Sequence, residues 1–261
     1  MRTRSSPSPP TATSEVVLTD AEIEPHSIAW LPDGRLLIVP RAAAWQGRLL
    51  RQEPDGTLVV HADLRGVAGG VNEIVVDARG NIYLDGGDFD FLGWLKGEAE
   101  FIPGIVALVT PDGAVRQVAD DIQFGNGMVV TPDGSTLVVA DSFAGTLLAF
   151  DIDDDGGLSN RRVRASGLSP DGITVDAEGA IWTGIGGMES PGGTVVRVRE
   201  GGEIVDRVEL DRSPFACMLG GDDGRTLFIM AAVFNPENPF GGPRTGRVLT
   251  TPAPAPHAGC P

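Results

Sequence analysis

The chain has 261 residues, 36 Gly, 20 Pro and a formal net charge of −16. That size and turn-residue content suit one large all-β domain, and the acidity excludes the clustered positive charge that nucleic acid or an anionic membrane surface requires. Two cysteines, Cys217 and Cys260, make neither a disulfide framework nor a zinc motif, and no apolar run reaches the length of a membrane-spanning helix.

Residues 1–13, rich in Ser, Pro and Thr, are expected to form a disordered tail. They lack the apolar centre of a secretory signal, so a cytoplasmic protein is the expectation. EVVLT, residues 15–19, reads as a short strand. A hairpin follows from Ile28 to Val39, turning at Pro32-Asp33-Gly34. A second hairpin, GRLLRQEPDGTLVVHAD, turns at Pro54-Asp55-Gly56. The two together make one four-stranded unit, with Gly supplying the positive φ that the turn needs.

The phrase then recurs. EIVVDARGNIYL turns at Gly80, MVVTPDGSTLVVA at Gly134, GITVDAEGAIWT at Gly179 and CMLGGDDGRTLFI at Gly224. From Gly34 onward these glycines are 46, 54, 45 and 45 residues apart. A period of that size is the mark of a β-propeller with four-stranded blades. Outer hairpins follow at Gly104–Asp121, Gly145–Ser166 and Gly193–Leu210. The fifth unit ends early with GRVLTT and a Pro-rich tail, 252–261, and EVVLT is expected to supply its missing strand, removing an open edge. The expected domain is a single propeller over 14–251.

Eight residues before each turn glycine stand His26, Asn72, Asn126, Asp171 and Ala216. Four of the five are polar, and each introduces the innermost strand of its blade. Equivalent positions of a propeller converge on one end of the axis, so recurrence in register points to a ring-shaped site. Oxygen donors from two Asn and an Asp suit a hard cation such as Ca²⁺. The bland alternative is that such residues merely favour turns. The longest loops, Asp85–Pro103, Gly184–Gly192 and Ala232–Thr245, fall at the same end and would rim a pocket. Phe89, Phe91, Leu92 and Trp94 would either cover that pocket or plug it. Asp153-Asp154-Asp155-Gly156 lacks the spacing of a calcium loop, and no G-x-S-x-G occurs to support a nucleophilic serine. Cys217, inside an innermost strand, is expected to be a small buried hydrophobe.

VNEIVVD, FGNGMVVTPDG, ADSFAGTLLAFDID, the LSNRR of Leu158 to Arg162 and SPDGITVDAEG together resemble the senescence marker protein, gluconolactonase and luciferin-regenerating family of six-bladed propellers. About five units are visible here. The resemblance implies a divalent-metal-dependent lactonase, with Ca²⁺ as first choice and Zn²⁺, Mg²⁺ or Mn²⁺ as others, acting on a sugar or related lactone. By motif it implies Asn126 and Asp171 as metal ligands, Asp171 also as general base, and Asn72 as a catalytic residue contacting substrate or metal-bound water, with Glu73 beside it at the substrate. The family has Asn-Asp where this chain has Asn72-Glu73. Its remaining ligand, a Glu in an E-x-P phrase of the first blade, has no counterpart in register, because Glu24-Pro25-His26-Ser27 belongs to the next blade. Either the chain is an N-terminally incomplete relative, or five units close and His26 joins the metal ring. A non-catalytic ligand-binding propeller and a protein-interaction propeller are the alternative functions.

Overall fold

The structure is a computed structural model. It describes residues 2–4, 16–18, 20, 22–185, 192–235, 238 and 242–259. Most of the tail at 1–13, Glu15 and Thr19 of EVVLT, the loop residues 186–191 and Cys260 therefore lie outside the described residues.

The fold is a β-propeller of antiparallel sheets with five blades. The first sheet runs β2 (Pro25–Trp30), β3 (Leu36–Pro40), β4 (Arg48–Gln52) and β5 (Leu58–Asp63); β1 is the short Arg2–Arg4 segment. The second runs β6 (Gly70–Val76), β7 (Ile82–Gly87), β8 (Gly104–Val109) and β9 (Val115–Ile122), with the one described α-helix, α1 (Phe91–Leu95), between β7 and β8. The third is β10 (Gly125–Val130), β11 (Thr136–Asp141), β12 (Thr146–Ile152) and β13 (Leu158–Ser166). The fourth is β14 (Ile173–Val175), β15 (Ile181–Ile185), β16 (Gly193–Val198) and β17 (Ile204–Leu210), with β1 parallel to β17 at its edge. The fifth has β18 (Ser213–Gly220), β19 (Thr226–Ala232) and β20 (Arg247–Pro252). Among the described residues no helix is long and apolar enough to cross a membrane.

Turn chemistry explains why the hairpins fall where the glycines predict. In the first, third and fifth sheets the turn aspartate accepts the amide two residues on: Arg35 to Asp33, Thr57 to Asp55, Ser135 to Asp133 and Arg225 to Asp223, at 2.9 to 3.1 Å. This local bond closes the turn, and Gly134 takes the left-handed conformation (φ +71°) that completes it.

In the first and third sheets the second strand of the inner hairpin is buried on both faces, as suits an unbroken apolar run, whereas β19 alternates. Every residue of β3 and β11 is buried. By compactness the chain divides into two units. One holds Glu15–Asn126 with Phe150–Asn160; the other holds Gly127–Ala149 with Arg161–Cys260 and Met1–Ser14. The first, N-terminal unit has a core of Leu37, Leu49, Leu64, Ile82, Leu84 and Val109, each such side chain contributing roughly 1.5–3 kcal/mol on burial. The C-terminal unit has a core around Trp182, Val195, Val208, Leu227 and Ile229 that includes Cys217. Burial pushes the Cys217 thiol up to about 12, so it is the inert hydrophobe expected.

EVVLT does not complete the fifth sheet. Val16, Val17 and Leu18 lie outside any strand, and the fifth sheet has three strands among the described residues. The reason is burial. Leu18 packs on Ile23, Leu36, Ile38 and Leu50 of the N-terminal unit, whereas Val16 and Val17 are exposed. The Pro-rich tail, by contrast, is tied down within the C-terminal unit. The Ala253 amide donates to Arg225, His257 to Gly224, and Ala177 to the Pro256 carbonyl, and Ala255 is fully buried.

Candidate functional site

Innermost strands carry β-bulges where the polar register begins. Pairing slips between Pro25 and Ser27 on β2, between Val71 and Ile74 on β6, and between Pro214 and Ala216 on β18. His26, the pair Asn72–Glu73 and Phe215 occupy these slips. A bulge bends its strand and re-aims a side chain, which is why bulges gather beside functional sites.

In the N-terminal unit this brings a polar cluster together. His26 Nε2 meets Asn72 Oδ1 at 3.0 Å, which makes Nε2 the donor. The Ser27 hydroxyl donates to Glu73 Oε2 at 3.2 Å. The Glu73 amide donates to Asp85 Oδ1 at 2.6 Å, and Asn72 Nδ2 makes a long bond, 3.5 Å, to the Gly125 carbonyl. Thus β2, β6, β7 and the start of β10 each contribute to one cluster. His26 is exposed, Asn72 and Glu73 are half-buried, and Ser27 and Asp85 are buried.

Burial sets the protonation of the two carboxyls. Asp85 is 2% exposed. Desolvation pushes its pKa up to about 8, the Glu73 amide bond opposes that rise, and the nearby Glu73 charge adds to it. Glu73 is also raised, by burial first, against the Ser27 hydrogen bond and the His26 charge. Ser27 and Asp85 were not marked by the register. The available signal for Asp85 was a carboxylate closing the buried run Ile82-Tyr83-Leu84, a place where an unpaired acid is rare.

The C-terminal unit shows why the other two polar positions are followed by glycine. The Gly127 amide donates to the Asp171 carbonyl at 3.2 Å, and the Gly172 amide to the Phe215 carbonyl at 2.8 Å. A Cβ on Gly127 would stand 2.4 Å from the Ile173 nitrogen and 2.8 Å from the Asp171 carbonyl oxygen. One on Gly172 would stand 2.6 Å from the Ala216 Cβ. Backbones approach too closely there for any side chain. Gly127→Ala is expected to destabilise the protein by about 1–3 kcal/mol through overpacking against main chain, read as a lower urea midpoint; an unchanged midpoint would mean the strands are spaced more widely.

The same amide-to-carbonyl link corrects one position. Phe215, not Ala216, is the fifth-sheet counterpart of Asp171. Phe215 is the residue taken up by the bulge between Pro214 and Ala216, one place before the position eight residues back from Gly224. Its ring lies 6.0 Å from that of Phe234.

The aromatic loop after β7 folds on itself. Phe89 packs edge-on to Phe91, Trp94, Phe101 and Phe124 at 5.1 to 6.3 Å, and Phe91 stacks on Phe124 at 5.3 Å. Asp90 caps α1 by accepting the Gly93 amide at 2.9 Å. Leu92 stays exposed. Phe124 sits at φ +77°, a strained conformation for a non-glycine residue, directly before Gly125 and Asn126.

On donor chemistry, the Asn126 amide and Asp171 carboxylate are hard oxygen ligands of the kind a divalent cation such as calcium takes. Among the described residues no three His, Cys, Asp or Glu side chains are grouped to hold an ion.

Sequence comparison matches residues 8–233 to a family described as the SMP-30/Gluconolactonase/LRE-like region. Regucalcin of Oryctolagus cuniculus is 30% identical over 137 residues, 49% of this chain and 44% of that protein. Regucalcin of Homo sapiens is 28% identical over 156 residues, 56% and 50% respectively. The chain thus spans about half the length of the curated relatives it matches. Among solved structures, a luciferin-regenerating enzyme superposes with a TM-score of 0.70 at 17% identity, covering 88% of this chain and 78% of its own. A regucalcin from Agrobacterium tumefaciens, described as a calcium-binding protein, gives 0.68 at 22% identity, with 91% and 78% covered. A gluconolactonase from Xanthomonas campestris gives 0.62 at 23% identity, with 87% and 71% covered. These identities speak for a shared fold.

Proposed function

The chain belongs to the SMP-30/gluconolactonase/LRE-like family, and from that premise we propose that it opens a lactone ring by hydrolysis. The observation that carries the reading is the register. The Asn-Gly and Asp-Gly phrases of the family stand at 126–127 and 171–172, the Gly127 amide is bonded to the Asp171 carbonyl, and a built polar cluster surrounds Asn72. A gluconolactonase among the structural neighbours supports the substrate class.

Hydrolysis needs a water to attack the lactone carbonyl, a group to accept its proton, and donors for the oxyanion that develops. The Asp171 carboxylate accepts the proton of the attacking water. Asn72 has its Oδ1 occupied by His26 and its Nδ2 turned to the Gly125 carbonyl at a long 3.5 Å, a weak bond that substrate or water would replace. Glu73, whose carboxyl burial raises above its ordinary value, borders the substrate beside Asn72. Asn126 and Asp171 are the residues that would hold a divalent cation, most readily Ca²⁺, with Zn²⁺, Mg²⁺ and Mn²⁺ as alternatives. When bound, the cation supplies Lewis-acid polarisation of the lactone carbonyl. With one protein charge in the set, its affinity falls at the weak end of calcium sites, about 10⁻⁴–10⁻³ M.

The test is hydrolysis of glucono-δ-lactone and simple γ- and δ-lactones, with added divalent metal and with chelator. Asp171→Ala is expected to lower the rate about 10²–10⁴-fold, the usual contribution of a positioned base. If the wild-type chain hydrolyses no lactone above background in any metal, the reading fails. That the family's Glu ligand has no counterpart in register here favours one other reading, a non-catalytic ligand-binding propeller. Calorimetry separates the two: lactone or hydroxy-acid binding without turnover supports the second.

A further inference from the structure

A bulge removes backbone groups from the ladder, and something must satisfy them. On β6 the slip between Val71 and Ile74 takes Asn72 and Glu73 out of register with β7. The amide of Glu73 finds its partner in the Asp85 carboxyl, at 2.6 Å, from the facing strand. The other Asp85 oxygen lies against Gly125, where a Cβ would stand only 2.8 Å from it. One buried side chain thus touches both the bulge and the residue before Asn126. The two side chains of the bulge then cross to β2: Asn72 to His26 and Glu73 to Ser27.

We propose that Asp85 is the positioning residue of this site: its carboxyl fixes the Asn72–Glu73 bulge in the one arrangement that turns Asn72 to His26 and Glu73 to Ser27. A buried carboxyl is costly to keep, and no arginine or lysine pairs with this one among its described contacts. Its partners are the Glu73 amide and the Asn72 side chain, and it fills the space a Cβ on Gly125 would take. It acts through Asn72 and Glu73 and does not touch substrate. The raised pKa agrees with a proton retained at neutral pH, so a neutral side chain of the same shape should do the same work.

The activity arm of the test rests on the lactone reading; the spectroscopic arm does not. Nuclear magnetic resonance of the Asn72 side-chain amide and the His26 ring is recorded for wild type, Asp85→Asn, Asp85→Ala and Gly125→Ala. Asp85→Asn keeps an acceptor for the Glu73 amide, so both signals hold their wild-type shifts and kcat/KM stays within about fivefold. Asp85→Ala, and Gly125→Ala where the added methyl displaces the carboxyl, move both signals toward solvent-exposed values, and kcat falls at least 100-fold with KM little changed. The two variants act on one contact from opposite sides, so Gly125→Ala answers the question if Asp85→Ala does not fold. Unchanged Asn72 and His26 signals in a folded Asp85→Ala or Gly125→Ala protein overturn the proposal, as does Asp85→Asn behaving like Asp85→Ala. A wild-type chain without lactonase activity sinks the lactone reading and leaves the resonance result to decide on Asp85.

Discussion

Arg197→Ala is expected to destabilise the protein by about 3–5 kcal/mol, the cost of breaking a buried ion pair from one side. Arg197 and Asp176 are both almost fully buried. The guanidinium Nε donates to Asp176 Oδ2 at 2.6 Å, and a terminal nitrogen donates to Glu178 at 2.8 Å. The other Asp176 oxygen accepts the amides of Glu178 and Ala180, so the carboxylate closes the β14–β15 turn as well as pairing with β16. Removing the guanidinium leaves a buried charge with two amides and no counter-ion. At roughly 2–4 °C per kcal/mol for a chain of this size, the melting temperature should fall by about 10 °C. Glu178 is largely exposed, so Glu178→Ala should cost less than about 1 kcal/mol. Replacing Asp176 and Arg197 together by apolar residues should not restore stability, because the two turn amides would lose their acceptor. Urea unfolding of the three variants checks the ranking. A loss below 1 kcal/mol for Arg197→Ala would show that the pair is not dry.

The second large effect concerns pH. The Asp85 carboxyl is raised from its ordinary value of 3.8 to about 8 in the folded chain. Between pH 4 and pH 8 the unfolded chain has lost this proton and the folded chain has kept it. Fewer protons on the unfolded state mean that stability falls as pH rises through that window, by about 1.4 kcal/mol per unit at the steepest. The total is on the order of 5 kcal/mol at most. An asparagine carries no such penalty. Asp85→Asn should therefore match wild type near pH 4 and exceed it by a few kcal/mol near pH 8. Glu73 is raised as well and contributes a slope of the same sign, but it remains in both proteins, so the difference between them isolates Asp85. Urea midpoints at pH 4.5 and 8 measure it. An Asp85→Asn difference that is equal at the two pH values would show that Asp85 is ionised in the folded chain.

The resemblance read from VNEIVVD, FGNGMVVTPDG and SPDGITVDAEG is borne out by the family match over residues 8–233. The strands and turns were legible because their determinants are local. An Asp-Gly turn closes through a bond between residues two apart, as at Asp133 and Ser135, and an unbroken run such as Leu36-Leu37-Ile38-Val39 is buried on both faces wherever its sheet goes. His26, Asn72, Asn126 and Asp171 were legible for the same reason, as fixed offsets from those turns. Glycine after Asn126 and after Asp171 carried a further message, close main-chain approach, that becomes readable only when the neighbouring strands are in place.

By itself, then, the sequence determined the propeller class, the number of repeats and the hairpin turns, since the first two follow from a turn phrase recurring every 45 to 54 residues and the last from bonding within a turn. Tertiary structure alone decided that Asp85 and Ser27 join the polar cluster round Asn72, that Phe215 stands where Ala216 was expected, and that residues 16–18 form no strand while Leu18 packs in the N-terminal unit. The physical reason is common to all of them. A bulge is a property of two strands, and burial is a property of whatever lies across from a residue. Neither is written in the order of residues along one strand, so an acid at the end of an apolar run meets the Glu73 amide only because its partner strand slips by one.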